Sequence, residues 1–545
     1  MSTDGSAEVE FVQHLSIVPI LLPLLAGIVL ALIEDRHHTI KLAVNLAATA
    51  ALLGVAMLLL WLTASAGSDA SAITSYRLGD WPAPFAIVLV ADPLAALMVA
   101  LTAVLGLASV SFSAARWHLA GPHFHSLFQL QLMGLCGAFL TGDLFNLFVF
   151  FELLLAASYG LMLHGSGTVR VKAGLHYIAV NLATSSLFLI GVSLIYAVTG
   201  TLNMADLALR IPLVPASDRM LLEAGAAVLG VAFLVKAGMW PLGFWLPTTY
   251  AAAAPPVAGM FAIMSKVGIY ALLRMSVLFF GEGSGPSAGL GAEWLFYGGL
   301  ATIAFGTIGV LAAQDMPRMA GYSVLVSSGT LLAMVGYQDA AVTAGALFYL
   351  VVSTLTLACF FLLVELVERG RGAEAGVLAL TLEAYGDDEE PEHAEEVGVA
   401  TPATLALLGI AFASCALLIS GMPPLSGFVA KFAMIDAVLD LGDRVAGTVP
   451  AGTWVLVAMM IVSGLAATIA MLRAGINTFW VSFDSDVPRV RGVEMAPVLL
   501  LLGLCAGLTV MAGPATDFMA AAAQLLPPAS YAPAVLDAVA AGGAI

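Results

Sequence analysis

Five lysines occur in this chain: Lys41, Lys172, Lys236, Lys266 and Lys431. Lys41 and Lys172 flank apolar runs, whereas Lys236, Lys266 and Lys431 lie inside them. A buried amine can carry protons. Burial disfavours its charged form and a nearby carboxylate favours it, so small movements of the carboxylate make it take up or release a proton. Arginine would not release its proton and cannot substitute. One carboxylate is placed for such a partnership: Glu152, in LFNLFVFFELLLAASYGLML (144–163), at least eight residues from either end of its run. The other acids in or beside apolar runs, Asp92, Glu223, Glu293, Glu365 and Glu368, sit at run ends or in loops.

Two of the lysines accompany broken helices. GMWPLGFW (238–245) follows Lys236 by two residues, and GMPPLSGF (421–428) precedes Lys431 by three. Each interrupts an apolar run with Gly, Met and Pro. A break of this kind frees backbone carbonyls and exposes half-helix ends, which suit water and cations. A single break reads as a packing kink. Two matched breaks, each with a lysine, point to the transport region of a repeat-built membrane protein. The competing reading of Glu152 and Lys236 is a static ion pair that locks two helices, or a lysine that snorkels to an interface. Arg274, two turns after Lys266, lies near a run end and reads as an anchor.

The elements that must position these residues follow from composition. The chain has 545 residues, 61% hydrophobic and 10% charged, against the usual quarter charged in a soluble domain; its mean hydropathy is +1.01. Apolar runs of about 20 residues recur along almost its whole length, and each can cross a bilayer core as a helix. The expected fold class is an all-α polytopic membrane protein of about fourteen transmembrane helices, at 15–33, 40–62, 84–112, 126–142, 144–164, 174–199, 221–240, 251–280, 293–313, 319–337, 341–367, 402–438, 452–474 and 495–513. The N-terminus, MSTDGSAEVEF, is acidic and lacks the basic region of a cleaved signal.

The positive-inside rule orients the spans. With the N-terminus outside, the odd-numbered loops hold Arg36, Lys41, Arg116, Arg170, Lys172, Arg318, Arg369, Arg371, Arg473, Arg489 and Arg491. The even loops hold Arg77, Arg210, Arg219 and Arg444. Eleven against four places both termini on the extracellular side. Hydroxyl and amide residues that can carry a water chain lie between the lysines: Asn181, Thr184, Ser185 and Ser186, then Ser265, then Ser327, Ser328 and Thr330, then Ser353, Thr354 and Thr356.

Other features exclude more than they assign. Cys136, Cys359, Cys415 and Cys505 are scattered through apolar runs and read as small core residues; no metal or cofactor is expected. The net charge of -17 excludes nucleic acid as a partner. The stretch 368–400 ends in GDDEEPEHAEEVG and reads as a solvated acidic loop. The tail 515–545 is Ala- and Pro-rich, with room for one short surface helix.

Over roughly 85–480 these motifs resemble the antiporter-like membrane subunits shared by Mrp-type multisubunit cation/proton antiporters and respiratory complex I. GMPPLSGFVAKF (421–432) is similar to the family's twelfth-helix signature and VKAGMWPLGFWLP (235–247) to its seventh. SKVGIYALLR (265–274) resembles the eighth and, more loosely, RMAGYSVLVSSG (318–329) the tenth. Within the family, TGDLFNLFVFFELLLAASYGL (141–161) resembles the D-type member of Mrp antiporters most.

The resemblance implies two inverted five-helix repeats, each with a broken helix. Residues 1–125 would hold helices 1–3, 126–280 the first repeat, 281–480 the second, and 481–545 helix 14 and the tail. It implies a proton-handling role for Glu152, Lys236, Lys266 and Lys431, and work only within a large complex of sister subunits. This chain departs from the family where many relatives carry histidines in helix eleven: FYLVVSTLTL (348–357) offers Tyr349 and Ser353. A basic residue beside the tenth-helix motif appears only as Arg318, and no long lateral helix follows span fourteen.

The expected function is therefore a proton-translocating subunit of a multisubunit Na⁺ (cation)/H⁺ antiporter in a prokaryotic plasma membrane, a secondary transporter rather than an enzyme. Its partners would be other subunits, protons, Na⁺ or another monovalent cation, and lipid. Three other readings stay open: a proton-pumping subunit of a redox-driven complex, a stand-alone solute carrier, and a scaffold with frozen ion pairs.

Overall fold

A computed structural model of the chain describes residues 13–81, 87–369, 402–479 and 490–541. The N-terminal segment, nearly all of the acidic stretch, Arg371 and Arg489 lie outside the described residues.

The first helices are α1 (Val18–Leu32), α2 (His38–Ser65), α3 (Pro93–Ser113), α4 (Phe124–Leu140), α5 (Leu144–Met162) and α6 (Thr168–Thr199). There follow α7 (Met204–Arg210), α8 (Ala216–Ala237), α9 (Leu246–Ala252), α10 (Pro255–Arg274), α11 (Ala292–Ala312), α12 (Met316–Val335) and α13 (Ala340–Glu368). The last are α14 (Pro402–Ser420), α15 (Ser426–Ala446), α16 (Ala451–Phe479), α17 (Gly492–Val510), α18 (Ala512–Gln524) and α19 (Pro528–Ala541). Among the described residues twelve helices are long and apolar enough to cross a membrane; Val18–Leu32 and Phe124–Leu140 are shorter apolar helices. Together they correspond one to one with the fourteen expected spans. α9 and α15 are the halves that follow the two breaks.

Three details differ from the sequence reading. The third span begins at Pro93 rather than near 84, because Val88–Ala91 forms strand β2 and pairs antiparallel with β1, Thr74–Arg77. Asp92 then caps α3, its carboxylate accepting from Ala95 N at 2.8 Å. The tail holds two helices, and α19 is not merely superficial, since Tyr531 is buried.

Contacts between loops support the span count independently of hydropathy. Loops with even numbers meet one another: Leu89 pairs with Thr141 and Asp143 with Asn203, Arg219 donates to Ser287, and Tyr337 bonds Thr453. Odd-numbered loops meet likewise. His164 bonds Trp117 O, Arg170 donates to Ala252 O, Arg473 donates to Ala313 O, and Arg369 pairs with Glu494. A miscounted span would have placed later contacts on the wrong face.

Two groups of arginines form buried or partly buried ion pairs. Arg274 is not an interfacial anchor as expected. It is 4% exposed and meets Asp92, itself 1% exposed, through Nη1–Oδ2 at 2.6 Å and Nη2–Oδ1 at 2.7 Å. Tyr270 accepts from Arg274 Nε at 3.1 Å and donates to Phe139 O at 2.6 Å, and the Tyr531 ring covers the guanidinium at 5.2 Å. The sequence could not pair these residues because they are far apart along the chain. On the other face Arg116 pairs with Glu365, and Arg369 bonds both Glu365 and Glu494.

Removing one member of a buried ion pair leaves an uncompensated charge. Arg274→Met should therefore destabilise the protein by about 3–5 kcal/mol, and Arg274→Met combined with Asp92→Leu should recover much of that loss. Thermal unfolding of the detergent-solubilised assembly measures both; equal losses for the single and double variants would show that the pair itself contributes nothing. A second expectation concerns pH. Burial, with lesser help from His38 and His164, holds His118 down at about 4, against about 6.5 in an unfolded chain. Between these values the unfolded state binds more protons, so this contribution is intact above about pH 6.5 and lost as pH falls toward 4. The melting temperature should drop across that window, and His118→Gln should flatten the drop.

Candidate functional site

The two breaks are built alike. α8 ends at Gly238 with φ +78°, and α14 is followed by Gly421 with φ +72°. Beyond each, the methionine N–H returns to the helix, Met239 to Leu234 O and Met422 to Leu417 O, both at 3.0 Å. This is the Schellman ending that a left-handed glycine permits. The second glycine of each break lies against a helix-end carbonyl. A Cβ on Gly243 would stand 2.1 Å from Gly238 O, and one on Gly427 2.3 Å from Leu418 O. Each break also contains a cis X–Pro peptide, Trp240–Pro241 and Pro423–Pro424.

Lys236 occupies the last turn of α8, buried at 7% exposure. Its ammonium donates to Asn181 Oδ1 and lies 5.9 Å from the Phe151 ring centre. Glu152 accepts from Ser185 Oγ, and Ser185 also hydrogen-bonds Asn181 O at 3.0 Å. Glu152 and Lys236 are thus brought to one site without a direct ion pair. Two residues four apart on one face of α6, Asn181 and Ser185, stand between them. The Asn181 amide is anchored in turn by donating to Tyr177 O at 2.7 Å.

Lys266 is fully buried in α10. Its ammonium donates to Ser327 Oγ at 2.8 Å, and Ser327 donates to Ser353 Oγ at 3.0 Å. Ser327, Tyr349 and Ser353 line a cavity of about 30 Å³ that also reaches Ser323, Thr356, Ser463 and Lys431. Apolar side chains such as Val352 and Leu418 complete its walls, and a space of that size with these polar partners has room for about two waters. Lys431, half-buried on α15, donates to Ser420 O at 2.8 Å, a carbonyl at the end of α14 beside the break. Gly421 and Gly464 make room for it: a Cβ on Gly421 would stand 2.5 Å from Lys431 Cδ, and one on Gly464 3.3 Å from its Nζ.

The four residues singled out in the sequence therefore fall into two groups. Glu152 and Lys236 share the first site, and a cavity lined by both hydroxyls and apolar side chains joins the Ser327–Ser353 partners of Lys266 to Lys431. Of the polar residues noted between them, Asn181, Ser185, Ser327 and Ser353 contribute hydrogen bonds, and Thr356 lines the cavity while bonding Val352 O. Thr184 instead bonds Val180 O and Thr354 bonds Leu350 O. Ser463, Gly421 and Gly464 were not singled out, since only packing brings them to Lys431. Close packing also joins the two lysine-bearing helices, as a Cβ on Gly268 of α10 would meet Lys236 Cβ at 2.9 Å. Among the described residues no cluster of three or more His, Cys, Asp or Glu is arranged to hold a metal ion.

Residues 141–456 match the family described as NADH:quinone oxidoreductase/Mrp antiporter, transmembrane. The chain is 59% identical to the D component of a probable K(+)/H(+) antiporter of Rhizobium meliloti, over 98% of this chain and 99% of that protein. It is 34% identical to the D component of the Na(+)/H(+) antiporter of Bacillus subtilis, over 95% and 99%. Its structure is similar to a chain of the Mrp complex from a Dietzia species, with a TM-score of 0.79 and 25% identity, covering 96% of this chain and 99% of that one.

The glycine at the second break can be tested directly. Gly421→Ala forces a side chain into a left-handed conformation, at about 1–2 kcal/mol, and its Cβ collides with Lys431. The variant should be less stable by about that amount and should label faster at Lys431 with an amine-reactive probe. Unchanged labelling would mean that the break does not hold the ammonium.

Proposed function

The chain belongs to the antiporter-like membrane family shared by NADH:quinone oxidoreductases and Mrp antiporters, and on that footing we propose that it is the proton-translocating subunit of a multisubunit monovalent cation/proton antiporter. It works as part of a secondary transporter, not as an enzyme. Relatives that match it from end to end carry antiporter names, which favours this over a redox-driven pump or a solitary carrier.

One observation carries the mechanism. The three intramembrane lysines each donate to a neutral acceptor: an amide oxygen, a hydroxyl and a backbone carbonyl. Arg274 and Arg369, by contrast, meet carboxylates. A scaffold of frozen ion pairs describes these two arginines and fails for the three lysines. An ammonium held only by neutral groups in low dielectric gives up its proton more readily than one bound to a carboxylate.

In this reading a proton is taken up at Lys236, whose readiness is governed by Glu152 through Ser185 and Asn181. It passes to Lys266, then through Ser327, Ser353 and the waters of the cavity to Lys431. The hydroxyls of Tyr349 and Ser353 replace the histidines many relatives carry. The repeats are 126–280 and 281–480. Five spans separate their starts, so the second begins on the opposite face and is inverted. The arginine-rich face is cytoplasmic, both termini are outside, and the membrane is the plasma membrane. Inward proton flow drives Na⁺ or K⁺ outward elsewhere in an assembly with sister subunits.

Lys236→Ala distinguishes relay from scaffold. In everted vesicles carrying the whole complex, the variant should lose on the order of 10²-fold in cation-dependent proton movement, the scale of a lost acid–base group. It should still co-purify with its partners. Retained transport with lost assembly would overturn the relay.

A further inference from the structure

The short helix α9, Leu246–Ala252, lies between the Lys236 break and the odd-numbered face. Seven residues are too few to hold a helix without outside support, so its position is set by what grips it. At its start, Trp245 Nε1 donates to Val235 O at 3.3 Å, next to Lys236. Along its length it presses on α12, where a Cβ on Gly321 would meet Pro247 at 2.8 Å. The Tyr250 hydroxyl lies beside Ser265, the neighbour of Lys266. At its end, the carbonyl of Ala252 accepts from Arg170 Nε at 2.8 Å.

Arg170 is itself fixed. It is 6% exposed, its Nη1 donates to Ser166 O at 2.9 Å, and its guanidinium lies 5.9 Å from the centre of the Trp117 ring. Counted from sequence, Arg170 was one more positive charge beside a span. In the fold it occupies the C-terminus of α9, where the helix leaves carbonyls unpaired and the dipole favours a cation.

We propose that Arg170 is a positioning residue for proton transfer: by gripping the end of α9 it holds Trp245 and Tyr250 in place beside the Lys236 and Lys266 sites. This rests on the relay reading above. The step it serves is a proton transfer in which the Lys236 ammonium becomes an amine and the Lys266 amine becomes an ammonium. No other reactant is consumed. Transfer of this kind depends steeply on distance, and a misplacement of about 1 Å can cost about 10²-fold.

The test uses the whole complex in everted vesicles, with Arg170→Gln, Arg170→Lys and Lys236→Ala measured in parallel. Arg170→Gln should lower maximal turnover by about tenfold or more and leave the apparent KM for the cation unchanged. The ratio of rates in H₂O and D₂O should rise, because proton transfer becomes limiting; a mere loss of folded protein would not move that ratio. Amides of 246–253 should exchange hydrogen faster. If Arg170→Gln does not assemble, Arg170→Lys decides, since an ammonium keeps the charge without the guanidinium fork that spans both carbonyls. It too should raise the isotope ratio. Wild-type turnover and isotope ratio in an assembled Arg170 variant, with Lys236→Ala inactive, would overturn this inference alone. Wild-type transport by Lys236→Ala would overturn the relay beneath it.

Discussion

A lysine placed among hydrocarbon must be held by something, and what holds it decides what it can do. Here the three deepest lysines rest on an asparagine amide, a serine hydroxyl and the carbonyl of an interrupted helix. None of these carries a charge. The ammonium is solvated well enough to exist in the membrane and not well enough to be locked there. A carboxylate in the same place would make a stable pair and a poor proton donor. Glu152 stands one step away, with Ser185 and Asn181 between, and in the proposed relay it influences Lys236 without capturing it.

The same chain uses arginine for the opposite purpose. Asp92 and Arg274 form an ion pair near the even-numbered loops, and Arg116, Arg369, Glu365 and Glu494 bind near the odd-numbered ones. These clusters tie helices remote in sequence: α3 to α10 on one face, α13 to α17 on the other. Static charge is thus concentrated toward the two faces, and ionisable amines lie between them. The breaks belong to the second set. A continuous helix would spend every carbonyl on its own hydrogen bonds. Stopping α14 at Ser420 leaves one for Lys431, and the glycines at 421 and 464 leave the space.

Much of this was legible in one sequence. The fourteen spans, the three lysines inside apolar runs, Glu152 and the paired Gly-Met-Pro breaks all follow from hydropathy and residue type. In a membrane those signals are strong, because every charge and every helix breaker is costly. Where the reading missed, local signals were weak or partners were distant. Strand β2 took the apolar residues before Pro93. The half-helix α9 is too short to have a period. Arg274 looked like an anchor because Asp92 is close only in space.

The amino-acid order alone determined the protein's class, the number and depth of its helices, and which side chains sit in hydrocarbon. These depend on length and polarity along a single segment, which the chain displays directly. Tertiary structure decided the partners: that Asn181 rather than Glu152 receives Lys236, that Ser327 and Ser353 continue from Lys266, and that Arg170 grips α9. Hydrogen bonds are fixed to within tenths of an ångström by how helices pack, and packing joins residues that no spacing along the chain relates.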